Sequence, residues 1–183
     1  METTKRPMMY VGVDPDTRNC PIVALREGSD RIEVEILRVP KGLANVEATL
    51  EMCRQMHDHT VHWPAKVAVE RMSMVQAKQR GANPQYICNL NLVAGAALAM
   101  FSDLRNVLIC PLPSEWKGQV PKPINHSRTL RKLNMQPGHR TLEYTAPSVE
   151  DQSRFDLPDG FKLSDWKHVM DALGLALHAK ASL

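Results

Sequence analysis

No apolar run in the chain is long enough to cross a membrane. The longest, Leu92 to Phe101, falls well short of the roughly 18 residues that suggest a span. Residues 1–7 carry no apolar stretch of the secretion-signal kind. Cys20, Cys53, Cys88 and Cys110 lie far apart with no Cys-x-x-Cys, so neither a disulfide framework nor a zinc knuckle is indicated. A cytoplasmic setting with no membrane partner is expected. Carboxylates are missing from two long stretches. From Arg71 to Ser102 there is not one Asp or Glu, while Arg71, Lys78 and Arg80 are basic. From Trp116 to Arg140 they are absent again, against Lys117, Lys122, Arg128, Arg131, Lys132 and Arg140. The stretch 141–165 reverses this with six acids against Arg154 and Lys162. A net charge of only +3 therefore conceals a segregation able to give one surface the positive potential that nucleic acid seeks. A solvated basic face is the plainer alternative for either run.

What is present is ordinary for a globular protein: 183 residues, 43% hydrophobic and 23% charged, expected to form one domain over 1–183. Met8 to Val13 reads as a buried strand closed by the turn signal Asp14-Pro15-Asp16. Pro21 to Leu25 is a second strand. Arg31 to Val39 alternates Ile32, Val34 and Ile36 with charge, a half-exposed third. Helical spacing from Leu43 to His57, a short strand from Ala65 to Val69, and an apolar helix from Pro84 to Phe101 follow. Val107 to Cys110 is a fifth strand, Ser127 to Leu133 a short helix, and Ser164 or Asp165 is placed to cap a last helix reaching Lys180. The order predicts an α/β fold: a central mixed five-stranded sheet, its first three strands antiparallel, flanked by helices.

Certain acids stand where chemistry would want them. Asp14 ends strand one. Glu70 ends strand four and is the one carboxylate between Asp58 and Asp103. His168 and Asp171 lie three apart on the last helix and share a face. If strands one and four are neighbours, both carboxylates leave the sheet at one edge. Three carboxylates together repel unless hard cations with a liking for oxygen ligands, such as Mg²⁺, neutralise them. Two metals about 3.5–4 Å apart would activate water and stabilise the leaving oxygen of a phosphodiester. Taken singly, each position has a simpler role as turn residue, ion pair or solvated stripe; the specificity lies in the ordered combination. The string Cys53, His57, His59, His62 looks like a zinc set but reads better as a helix C-terminus.

Val11-Gly12-Val13-Asp14-Pro15-Asp16-Thr17, then Val67-Ala68-Val69-Glu70, then residues 168–177 beginning His168-Val169-Met170-Asp171-Ala172-Leu173-Gly174, resemble the RuvC family of Holliday junction resolvases. The likeness covers most of the chain, with His168 where many members have Asp. Residues 113–122 are similar to a segment of phage-type members, so the cytoplasm of a phage host is one setting. The resemblance implies a ribonuclease H-like fold and catalytic, metal-holding Asp14, Glu70, His168 and Asp171. It implies a crossover junction endodeoxyribonuclease that cuts four-way DNA and leaves 5′-phosphate ends. Two Mg²⁺ per active site are expected, with Mn²⁺ able to substitute. The competing functions are a nuclease for other branched DNA or RNA–DNA hybrids, and a non-catalytic nucleic-acid-binding module.

Lys117 and Lys122 read either as grips on the phosphate backbone or as exposed residues of a Pro-rich loop. Arg71, Lys78, Arg80 and Arg128 are further candidate DNA contacts. Met72 or Met74 could wedge an unstacked step at a junction's centre, or pack in the core. Trp116 could stack on a base or pack beneath its loop. The 84–101 helix is either buried centrally or presents one face to a second copy; a two-fold junction suits a homodimer.

Overall fold

The computed structural model describes residues 7–58, 65–73, 75, 81, 83–102 and 106–182. Strands β1 (Met9–Val13), β2 (Asn19–Arg26) and β3 (Ile32–Arg38) form the antiparallel meander expected from the alternation. Helix α1 (Asn45–Asp58) crosses over to β4 (Ala65–Val69), which lies parallel to β1 with Val13 opposite Val69. Helix α2 (Pro84–Met100) leads to β5 (Val107–Ile109), parallel to β4.

Beyond β5 the chain departs from the expected outline. A single turn, α3 (Pro113–Trp116), precedes α4 (Lys122–Lys132), which begins five residues before Ser127. Pro123 sits in the first turn of α4, where its missing N–H costs no hydrogen bond. A two-stranded ribbon, β6 (Pro137–Arg140) with β7 (Thr145–Pro147), and a turn α5 (Val149–Gln152) follow. Strand β8 (Phe155–Asp156) then joins β3 in parallel. Among the described residues the sheet therefore has six strands, ordered β5-β4-β1-β2-β3-β8, not five. A strand of two residues carries no period for sequence to reveal. The chain closes with a 3-10 turn, Leu163–Asp165, and helix α6 (Trp166–Ala181). Among the described residues no helix is long and apolar enough to cross a membrane.

The period-two pattern of the strands divides the core into two layers. Met9, Val11 and Val13 of β1 and Ala65, Val67 and Val69 of β4 face Met52 and Met56 of α1 and Val93 and Ala97 of α2. On the opposite face, Val23, Leu25, Ile32 and Val34 pack on Trp166, Val169, Met170 and Leu173 of α6. A buried side chain of this size contributes roughly 1.5–3 kcal/mol. Gly12 decides how close α6 comes. A Cβ there would stand 1.9 Å from the Ala172 carbonyl oxygen and 2.4 Å from the Ala176 nitrogen. Only glycine lets the helix backbone lie directly on β1.

The acidic stretch 141–165 finds its use in local structure. Asp151 accepts from the Gln136 amide and the Ser148 hydroxyl, Asp156 pairs with Arg31, and Asp165 pairs with Arg38. Asp165 was expected to cap the last helix. Its side chain instead folds back to the Lys162 amide at 2.8 Å and makes no cap bond to α6.

Candidate active site

Parallel pairing of β1 and β4 puts Asp14 and Glu70 one residue beyond two adjacent strand ends, and the Glu70 amide donates to the Val13 carbonyl at 3.3 Å. Helix α6, pressed onto β1 through Gly12, brings its first turns to the same edge. The His168 Nδ1–H donates to Asp14 Oδ2 at 3.2 Å. With Nδ1 protonated, a neutral imidazole keeps Nε2 as a free lone pair. Asp14, Glu70 and His168 line one cavity of about 160 Å³ with Asp16, Met72, Tyr86 and Lys122.

Asp171 lies deeper, 1% exposed, and is covered by the Lys122 ammonium, which bonds its Oδ2. Its Oδ1 accepts from His126 Nε2 at 3.1 Å. The tautomer of His126 follows from its other nitrogen, because Nδ1 accepts the Thr145 amide at 3.3 Å and Nε2 must then carry the proton. His126 is fully buried on α4 and escaped the sequence reading. Its one signal was the four-residue spacing from Lys122, which sets both on one helical face.

Lys117 does not sit out on a loop. Its ammonium is 3.0 Å from Glu70 Oε1 and 4.0 Å from Asp171 Oδ1, with the side chain 13% exposed. Trp116 Nε1 donates to the same Glu70 oxygen at 2.8 Å. The indole packs on α6 at Gly174, where a Cβ would stand 2.4 Å from it. Trp116 thus packs beneath its loop and aims its N–H at the site.

Electrostatics match this crowding. Burial, then the neighbouring Asp14 charge, raises the Glu70 pKa above the ordinary carboxylate value; Lys117 and Trp116 oppose the rise. Burial pushes Asp171 the same way but is outweighed by the His126 hydrogen bond and the Lys122 and Lys117 charges. The result lies well below the usual range. For Lys122, burial favours loss of the proton, and the charges of Asp171 and Asp14 overcome it to raise the pKa.

Among the described residues no three His, Cys, Asp or Glu side chains converge tightly enough to hold a metal ion as they stand. The buried carboxylates nonetheless suit a hard cation, the imidazole lone pair suits Mn²⁺ better than Mg²⁺, and two ammonium groups at present balance the carboxylate charge.

The other candidates fall variously. Arg71 is exposed beside the site, its Nε donating to the Cys110 carbonyl at 2.7 Å. Met72 is clamped by Asn91, which bonds its amide and carbonyl at 3.0 Å each, and its side chain packs on Ile87 and Leu90 while lining the cavity. Arg128 is exposed on α4. Met74, Lys78 and Arg80, like His59 and His62, lie outside the described residues. Asp16 is turn structure, its Oδ1 accepting from the amides of Arg18 and Asn19 at 2.7 and 3.0 Å.

No family model matches the chain, and no curated protein matches it in sequence. Solved structures do share its architecture. T. thermophilus RuvC in complex with Holliday junction substrate aligns with a TM-score of 0.53 at 14% identity, over 93% of this chain and 90% of that one. The yeast mitochondrial Holliday junction resolvase Ydc2 aligns at 0.44 and 10%, over 93% and 79%. The first of these establishes a RuvC-like fold, a central mixed sheet flanked by helices. At such identity the likeness speaks for the fold and leaves the chemistry to the site.

Proposed function

We propose that this chain is an endonuclease that resolves four-way DNA junctions by metal-dependent hydrolysis, leaving 5′-phosphate ends. The observation that carries the reading is the placing of Asp14, Glu70 and His168 around one cavity at one sheet edge, with Asp171 buried behind it and linked to Glu70 through Lys117. The RuvC likeness supports it, since that protein was solved on a Holliday junction. Asp14, Glu70, Asp171 and His168 would hold two Mg²⁺, with Mn²⁺ able to replace them, and the metal would acidify the attacking water and stabilise the leaving oxygen.

The chain's own groups have definable parts. His126 fixes Asp171 Oδ1 through a proton that cannot leave Nε2 while Thr145 occupies Nδ1. Asp14 Oδ2 orients His168, leaving its Nε2 to ligate or to take a proton from water. Lys117 and Lys122, held beside the carboxylates, would set positive charge next to the scissile phosphate. Arg71 and Arg128 would contact the backbone further out, and Met72 would meet an unstacked base. We further propose a homodimer through α2, whose Cys88, Leu92, Gly95 and Ala99 form an exposed stripe at helical spacing. Two copies would nick two strands symmetrically.

The test is nick mapping on synthetic four-way, flap and RNA–DNA hybrid substrates, with and without Mg²⁺. Paired nicks on the four-way junction are expected only with metal. Asp14→Asn, Glu70→Gln and Asp171→Asn should abolish cleavage and spare junction binding, whereas His168→Asp keeps substantial activity. Near-normal cleavage by Asp14→Asn overturns the reading.

A further inference from the structure

A second depression opens on the β3 side of the same sheet edge, with a volume of about 780 Å³. Its walls come from the start of β2, the turn after β3, and the segment leading into α6. Asn19 pairs with Arg38 across β2 and β3, while Val13, next to Asp14, pairs with Ile22. The depression therefore lies on the carboxylate edge, displaced along it. With neighbouring strands about 4.8 Å apart, β3 is about 10 Å from β1, close to three nucleotide rises of about 3.4 Å.

The lining is cationic. Arg18, Arg38, Lys41 and Lys162 face it, and among the described lining residues Asp165 is the one carboxylate. Asp165 is matched by Arg38 at 2.7 Å, which leaves three positive charges in excess. Arg18 is held without being neutralised, since its Nη2 donates to the uncharged Leu43 carbonyl at 2.6 Å. Lys41 and Lys162 are exposed at the rim, and Gly42, at φ 96°, sharpens the turn that presents Lys41. A site for a small neutral molecule would be apolar and enclosed. Guanidiniums held by hydrogen bonds, with exposed ammoniums at the rim, suit a run of phosphates.

We infer that this groove binds the phosphate backbone of one DNA arm flanking the cleavage point. The inference rests on the junction-nuclease reading and adds to it a place for the strand outside the carboxylate site. None of the four cations was singled out by sequence, because they come from three separate segments.

Lys41→Ala/Lys162→Ala tests it, both side chains being exposed and outside the cavity lined by Asp14, Glu70 and His168. Affinity for a four-way junction is titrated across salt in chelator, and nicking is timed with Mg²⁺ at saturating protein. The double variant should bind about tenfold more weakly near physiological salt, with the slope of log K against log salt shallower by about 2. Its saturated nicking rate should match wild type. Methylphosphonates placed about three nucleotides from the nick should weaken wild type likewise and the variant no further. Unchanged affinity and slope, in a protein whose wild type binds and nicks the junction, refutes the groove alone. A wild type that neither binds nor nicks any branched DNA refutes the reading beneath it, and the groove with it.

Discussion

Replacing Gly12 with alanine should separate the two halves of the candidate site with a single methyl group. The added Cβ would lie 1.9 Å from the Ala172 oxygen, and real Cβ contacts do not come below 3.0 Å, so β1 and α6 must part by at least about 1.1 Å. The two nearest atoms, the Ala172 oxygen and the Ala176 nitrogen, are helix backbone and cannot rotate away, and the Leu175 Cβ stands at 2.9 Å. Overpacking of this kind costs about 3 kcal/mol, at the upper end of the usual range. For a chain of this size that corresponds to roughly 6–12 °C in thermal midpoint. The displacement also carries His168 and Asp171 away from Asp14, and a misplacement of about 1 Å at a reacting centre can cost about 10²-fold in rate. The assay pairs thermal melts with junction nicking at saturating Mg²⁺, measured well below the variant's midpoint. Leu142→Ala is the control, since its side chain is 99% exposed and a surface substitution of this kind stays within about 0.5 kcal/mol. A Gly12→Ala protein with wild-type melting and nicking would refute the claim that this contact sets the site.

Further outcomes follow from the same geometry. His126→Ala should destabilise by roughly 3 kcal/mol in denaturant titrations, because a buried carboxylate loses its donor and the Thr145 amide its acceptor; His126→Gln should recover part of the loss. At Asp165, burial opposes ionisation, but the Arg38 and Lys162 contacts prevail and lower the folded pKa. A depressed carboxylate pKa contributes stability above the unfolded value of about 3.9 and loses it as pH falls through the folded one. Wild type should therefore exceed Asp165→Asn at pH 7 in denaturant midpoint, and the gap should narrow as pH falls below the unfolded value. Leu92→Glu should shift sedimentation from dimer to monomer if α2 carries the two-fold contact.

Much of this arrangement was legible in the sequence where residues repeat or punctuate. The alternation of Ile32, Val34 and Ile36, the turn Asp14-Pro15-Asp16 and the apolar 84–101 run each named their element. Asp14 and Glu70 were legible as neighbours because each follows a strand end, and His168 and Asp171 as residues of one helix face. The two-residue β8 and one-turn α3 are too short for any period, and only tertiary packing holds them. The positions of Lys117, Lys122 and His126 were hidden for another reason. Nothing local distinguishes a lysine on a loop from one folded inward to meet a buried carboxylate. Trp116 needed Gly174 opposite it, a pairing between residues 58 positions apart.

Asp171 trails Asp14 by 157 positions, and its helix can dock only after β1, β2 and β4 have formed the surface it covers. A nascent chain emerging N-terminus first would thus carry Asp14 and Glu70 long before His168 and Asp171 join them. On the proposed reading the site would be assembled only as this helix docks, and a product truncated before it would lack two of the four proposed metal-holding side chains.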